Sequence, residues 1–457
     1  MKCINKYILL VLLFALFQSC KKFLHVKTPE GQLTDNIIFS SDSLATNALI
    51  GIYTNLVSNS ISFPSGVWSI SLLAGLSADE LDNYSASQIQ AQYYLNDISP
   101  TNSINKLMWQ QFYRSIYQCN TVMEGIVNSK NISSSVKGQL LGEALFLRAY
   151  CFFYLINMYG PVPLSLTTRY QENDTLYRSA IDIVYNQIEN DLNKASQSLS
   201  DEYPSGSERI RANRSAANAL LSRIYLYTGN WRQCIEKSSV VINRKDQYQL
   251  CSSLRDVFLK NSKEAILQLQ PILPRYNTFD APVFILQNAP RNVACSRQLI
   301  SSFEPNDLRM INWIGIIKVD NDSFYFPYKY KMLPDSTVGE YLMILRLSEL
   351  YLSRSEAYAR LGIFDSAWAD LNIVRQRSGL LPLSSNSANI LGTIFQERRV
   401  ELFTEWGNRW FDLKRIGNAN LVLGSIKGSL WQPTDVLYPI PISEIVLNPR
   451  LTQNPGY

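Results

Sequence analysis

One histidine, His25, serves the whole chain of 457 residues. A single imidazole cannot build a Ser-His-Asp triad, a Cys-His pair or a histidine-ligated metal site, so most hydrolytic mechanisms fall away. Cysteine is sparse too. Apart from Cys3 and Cys20, the thiols are Cys119, Cys151, Cys234, Cys251 and Cys295, an odd set without paired spacing, so no disulfide framework is expected. Cys119, Cys151 and Cys234 fall inside helix-like patterns, where a thiol serves as a small buried apolar group. Acid is missing from the first residues, with Glu30 the earliest. After the apolar run at the start, no second run of membrane length is read, and the remainder is expected to be soluble.

The N-terminus carries what those absences frame. Lys2 and Lys6 precede an uninterrupted apolar stretch from Tyr7 to Phe17, too short to span a bilayer as a helix, followed by Phe17-Gln18-Ser19-Cys20. A small residue directly before cysteine is where a lipoprotein signal peptidase cuts once the thiol carries lipid. Residues 1–19 are therefore expected to be a leader, Cys20 the lipidated first residue, and 20–35 an extended tether held by buried acyl methylenes. Removing the leader takes two of the 43 basic residues and no acid, leaving 41 against 38, or +3. That balance gives no ground for a nucleic-acid partner.

Beyond the tether, apolar residues recur at intervals of three and four. Ile181, Val184, Tyr185, Ile188, Leu192, Ala195 and Leu199 lie on one face, with Ser179 and Asp182 forming a near capping box at the start. The same period runs through Trp109–Val122, Glu143–Met158, Ala216–Tyr227 and Leu347–Leu361. Two stretches share a pattern: Tyr225 to Gly229, Trp231 and Cys234, and Tyr358 to Gly362, Phe364 and Ala367. In each, glycine is followed by an aromatic at plus two and a small residue at plus five, the signature of tetratricopeptide-type helix pairs. Such pairs bury their faces only when stacked. Repeated prolines interrupt 252–338, where extended pieces are expected at Ile266–Leu269 and Phe324–Tyr330, and 58–103 is also irregular.

Chemistry is sought in those loops, since binding residues concentrate on loops displayed by rigid scaffolds. Asp79, Glu80 and Asp82 form a carboxylate cluster that could serve glycoside hydrolysis, or else cap a helix or bond a ligand. The charged runs Arg346–Arg360, Glu397–Glu401 and Arg409–Arg415 read as inter-helix ion pairs and solvated faces in preference to an anion site. Trp109, Trp231, Trp368, Trp406 and Trp410 sit in helical patterns and are assigned to the core; Trp68, Trp313 and Trp431 do not. Flat aromatic faces suit sugar rings, whose axial C–H bonds meet the π-cloud while hydroxyls seek amides and carboxylates. Trp68, Asp79, Asn83, Tyr84 and Trp313 are the candidate ligand-binding residues, with no catalytic or metal-ligating residue assigned.

Several ordered blocks resemble the SusD/RagB family of outer-membrane nutrient-binding lipoproteins. They are Trp109–Asn120, Glu143–Tyr150 running to Tyr159–Pro163, Leu345–Leu352 with Ser355–Ala357, Asp370–Arg375, Glu397–Glu401 and Arg409–Arg415. The last two are Tyr438–Pro441 and Gln453–Tyr457. The resemblance spans nearly all of the chain after Cys20. It implies a mainly α fold over 36–457, with tetratricopeptide-like helices at about 36–57, 104–250 and 340–420 supporting loop-rich regions at about 58–103 and 252–338. It further implies capture of glycans, or peptides in some members, without bond cleavage or cofactor. The implied partner is a TonB-dependent SusC-like outer-membrane transporter, over which the lipoprotein sits as a lid. The resemblance places the protein on the outer membrane by its lipid, facing outward. Its binding residues lie in variable loops, so no motif transfers them. Lys21 and Lys22 stand where acidic residues often mark surface export, and they leave the outward placement to the resemblance alone.

Overall fold

The structure, a computed structural model, describes residues 35–57, 66–334, 337–384 and 389–457. The leader, Cys20 and the tether as far as residue 34 lie outside the described residues; Asp35, expected to end the tether, opens a short helix, Asp35–Ile38.

Helices carry the architecture. In chain order the main ones are α1 (Asp42–Asn55), α2 (Ile70–Ser77), α3 (Gln88–Leu95), α4 (Ser103–Asn128), α5 (Ser134–Tyr159), α6 (Ile181–Ser198), α7 (Arg214–Thr228) and α8 (Trp231–Ile242). After an irregular stretch follow α9 (Leu347–Arg360), α10 (Phe364–Arg377), α11 (Ile390–Leu402), α12 (Asn408–Arg415) and α13 (Ala419–Lys427). Each helix from α4 to α10 packs on the next, including α8 on α9 across the long interruption. The result is a stack of helical hairpins in the tetratricopeptide manner.

Local chemistry sets the ends. Ser41, Ser69, Ser87, Asn102 and Asn213 each accept a hydrogen bond from a first-turn amide of the helix they precede. Gly229 and Gly362 take φ of +74° and +76° in the turns that join α7 to α8 and α9 to α10. Cys234 and Ala367, the small residues of the two matching patterns, are fully buried where the second helix meets the first. The expected capping box at Ser179 does not form. Ser179 pairs with Val162 in a short strand, Ala180 stands at the cap, and α6 starts without a side-chain cap.

The centre of the stack is α5. It is long and apolar enough to cross a bilayer, contrary to the reading that no such run follows the leader, yet 89% of its most apolar window is buried inside the protein. Its two charges near the middle are satisfied internally. Arg211 bonds Glu143 at 2.6 Å with Tyr53 and Gln139 adding their own bonds, and Arg148 pairs with Asp191 at 2.7 Å.

Short strands fill the connections, most of them in or beside the loop-rich half and one pair between α5 and α6. They are β1 (Leu81–Asn83), β2 (Val162–Pro163), β3 (Arg178–Ser179), β4 (Ala265–Leu269), β5 (Val293–Cys295), β6 (Ile314–Val319), β7 (Asp322–Pro327) and β8 (Leu342–Arg346). They pair antiparallel as β1 with β5, β2 with β3, β4 with β8 and β6 with β7. The two expected extended pieces fall in β4 and β7, although β7 ends at Pro327.

The charged runs are ion pairs, but buried ones in place of solvated faces. Arg346 reaches Glu264 (3.0 Å), Glu401 (2.6 Å) and Glu405 (2.8 Å), while Arg309 reaches Asp307, Glu397 and Glu401. Arg377 joins Glu264 and Glu401, and Lys329 meets Glu405. Because Glu264, Arg309 and Lys329 belong to the loop-rich half and Arg377 and Glu401 to helices, this network bolts one to the other.

Candidate functional site

Two anchors hold an open cleft on the loop-rich half. The first is a turn of 3₁₀ helix, Gly66–Trp68. Its Gly66 amide donates to Asp280 Oδ1 at 2.9 Å, and Ser69 bonds the same carboxylate. Gly66 has φ +81°, and any Cβ there would lie 3.3 Å from Phe279 Cβ, so backbone and loop approach closely. Asp280 is fully buried, which pushes its carboxyl up to about 7 against the pull of those donors. Trp68 is partly buried above this joint, packed against the core. The second anchor is the β1–β5 pairing, prolonged by the Tyr84 amide donating to Asn292 O at 2.8 Å.

Between the anchors the segment 282–292 forms one wall of a cleft of about 630 Å³, closed by Leu333 and Pro334. Its lining mixes Val283, Ile285 and Leu286 with Gln287, Asn288 and Arg291. Beyond the β1 end lies an aromatic edge. Tyr84 is 44% exposed and stands edge-on to Phe324 of β7, with ring centroids 5.9 Å apart. Asp82 beside it accepts from the Tyr94 hydroxyl; burial raises its carboxyl, and that bond lowers it in part. Asn83 faces inward to local work, its Oδ1 accepting from the Ser85 amide (3.2 Å) and from Gln90 Nε2 (3.1 Å).

Trp68 and Tyr84 thus stand by the two ends of the 282–292 segment and Asn83 is taken up by local bonds, whereas two other candidates are corrected by the structure. Trp313 has no exposed surface: its Nε1 donates to Leu254 O at 2.9 Å, Phe258 packs against it, and Lys329, Arg346 and Arg377 lie over its ring at 5.0–5.7 Å. Cations of the buried network occupy the faces a sugar would need. Asp79 is 4% exposed and clamped by Arg409 (2.7 and 2.8 Å) and Arg399 (2.7 Å). Burial raises its carboxyl, but those arginines outweigh burial and hold it below the usual range. Glu80, also buried, accepts from the Thr404 amide and is pushed up to about 8 by burial and by Asp79. No two members of the carboxylate cluster face a common opening. Phe324, Tyr94 and the 282–292 wall were not singled out from sequence; the proline breaks marked their region without separating lining from filler.

A tetratricopeptide-like scaffold displaying an aromatic-edged loop surface defines a repeat-supported loop-display protein. Two family descriptions match in chain order: "Starch-binding associating with outer membrane" over residues 22–226 and "SusD family" over 318–457. A SusD-like protein of Formosa agariphila is 24% identical, with all of both chains covered. The starch-binding protein SusD of Bacteroides thetaiotaomicron is 23% identical over 69% of this chain and 72% of its own. Among solved structures, a SusD superfamily protein from Bacteroides vulgatus superposes with a TM-score of 0.81 at 22% identity, covering 91% of this chain and 99% of that one. A laminarin-binding SusD-like protein gives 0.76 at 23% identity over 92% and 100%. The chain belongs to the SusD/RagB family.

Proposed function

We propose that this protein is a lipid-anchored, outward-facing glycan receptor of the outer membrane that captures oligosaccharides without cleaving them and passes them to a TonB-dependent SusC-like transporter. The observation that carries the reading is the open loop surface, a cleft whose wall residue Asn292 is joined to exposed Tyr84 with half-buried Phe324 behind it, on a chain whose family description names starch binding and the outer membrane. Laminarin and starch are named for two similar proteins, and they point to neutral glucans as the first probes. Tyr84 and Trp68 would offer ring faces to sugar C–H groups, with the amides of the 282–292 wall meeting hydroxyls. Burial of Asp79 and Glu80 supports binding over hydrolysis, since neither carboxylate meets a cleft. Cys20 would bear the anchor.

Isothermal titration with laminarin, starch and other neutral glycans tests the reading. Tyr84→Ala is expected to weaken binding of the preferred glycan about tenfold, within the range of a lost aromatic contact. Silence across the panel together with clear heat from peptides would move the ligand class to peptides. Cys20→Ala is expected to release a folded, ligand-competent protein that no longer supports uptake; continued uptake would overturn the anchoring role.

A further inference from the structure

The outer face of α4 lines a groove that the loop reading does not use. Gln110, Tyr113, Tyr117, Thr121, Glu124 and Asn128 recur at three and four residues, on one side of that helix. Against them runs the 163–176 segment, with a hollow of about 430 Å³ between, and a second of about 450 Å³ adjoins it past Thr168 along the end of α4, beside Phe39 and 129–131; both are bordered by Tyr117 and Thr168. From Gln110 to Asn128, at about 1.5 Å per residue, the groove extends about 27 Å.

Its far wall is built in. Tyr113 Oη donates to Pro163 O at 2.8 Å, Asn120 Nδ2 to Ser165 O (3.2 Å) and Thr167 O (3.3 Å), and Glu124 accepts from the Thr168 amide (3.0 Å) and hydroxyl (2.6 Å). Asn120 is itself held by Arg148 at 2.8 Å, whose other bonds go to Asp191. A segment tied at three points along α4 is preorganised, so a ligand need not order it.

The lining has a definite chemistry. Tyr117 is 51% exposed and Tyr170 is 69% exposed, one on each wall of the hollow that they share. Around them stand amides and hydroxyls such as Asn131, Ser129 and Thr121 at one end and, at the other, Asn448 among the aliphatic Leu176, Leu447 and Leu451. The carboxylates Glu124 and Glu444 are already engaged, by Thr168 and by Gln110 at 3.0 Å, and together with Asp174 they outnumber Lys130. Such a lining repels anions and offers ring faces and neutral hydrogen-bonding groups along a line.

We propose that this groove is a second binding site for a neutral, linear oligosaccharide, separate from the loop surface. Its ligand class follows from its own lining, and the proposal does not depend on the loop site being occupied. The test titrates laminari-, malto-, cello- and mannohexaose into three proteins: wild type, Tyr84→Ala, and Tyr117→Ala with Tyr170→Ala. Both groove tyrosines are exposed, so the double variant should keep the wild-type melting temperature. The expected result is that Tyr84→Ala still binds one hexaose, while the double variant loses one binding equivalent or weakens at least about tenfold. Unchanged stoichiometry and affinity in the double variant overturn the proposal, whether or not Tyr84→Ala has an effect. Loss of all binding in the double variant with no effect of Tyr84→Ala keeps the groove and removes the loop reading. Absence of binding to any hexaose removes the groove as a glycan site. So does a double variant that binds sugars normally but fails to co-purify with an outer-membrane transporter, since the face then serves a protein.

Discussion

Asp79 accepts from two guanidinium groups, while its neighbour Glu80 accepts from one backbone amide. The difference sets opposite pH behaviour. An unfolded glutamate titrates near 4.5 and the folded Glu80 near 8, so between those values the native chain keeps a proton that the unfolded chain has lost. Stability from Glu80 is therefore full below about 4.5 and declines as pH rises, by at most about 1.4 kcal/mol per pH unit. Urea midpoints at pH 5.5 and 7.5 should draw closer together in Glu80→Gln. Asp79→Asn, in contrast, leaves Arg399 and Arg409 buried beside a neutral group and should cost about 3–5 kcal/mol, read by the same denaturation. No loss of a hydrolytic activity should accompany it. Neither fate was legible locally, because the partners of Asp79 lie 320 and 330 positions away. Trp313 misled for the same reason: an irregular sequence context marks a loop, but only distant Lys329, Arg346 and Arg377 decide that its ring is covered.

At the scale of elements, what was legible is what a few neighbouring residues dictate. The glycine, aromatic and small residue of each repeat turn lie within six positions, and the structure realises both turns. Gly229→Ala and Gly362→Ala should each cost about 1–2 kcal/mol, because a Cβ at positive φ crowds the carbonyl; thermal melts of the two variants check this. Lys427 shows the opposite case. Its ammonium caps two helices at once, donating to Leu76 O (3.0 Å) and Ser77 O (2.9 Å) at the end of α2 and to Tyr94 O (2.9 Å) near the end of α3, with Asn96 completing the shell. Lys427→Met should leave those carbonyls unpaired and raise amide exchange in α2 and α3 while sparing α6 to α8. A lone lysine at a helix end carries no sign of which carbonyls it will find. Nor did the periodic run at Trp109–Val122 disclose that its outward tyrosine borders a groove, since the opposite wall comes from 163–176.

For the whole molecule, Glu401 is the point where the halves meet, accepting from Arg309, Arg346 and Arg377. Burial raises its carboxyl, but the three charges outweigh that and hold it well below the usual range. Its contribution is then present above the unfolded value and is lost as pH falls toward the folded one. Glu401→Gln should destabilise by about 3–5 kcal/mol and shift the loop and helix halves together, seen as coincident tryptophan-fluorescence and far-UV transitions.

The apolar core helix α5 has a consequence before folding. The leader proposed at residues 1–19 implies passage through a translocon as an unfolded thread, and there any segment apolar enough can slip sideways into lipid. Glu143 and Arg148 weigh against that exit, at about 3 kcal/mol for a charge near the middle of the bilayer. On that proposed route, the two charges that Arg211 and Asp191 later satisfy would act first as a safeguard in secretion. A chain with Cys20→Ala, Glu143→Leu and Arg148→Leu should be retained in the inner membrane, whereas Cys20→Ala alone should pass, as fractionation would show.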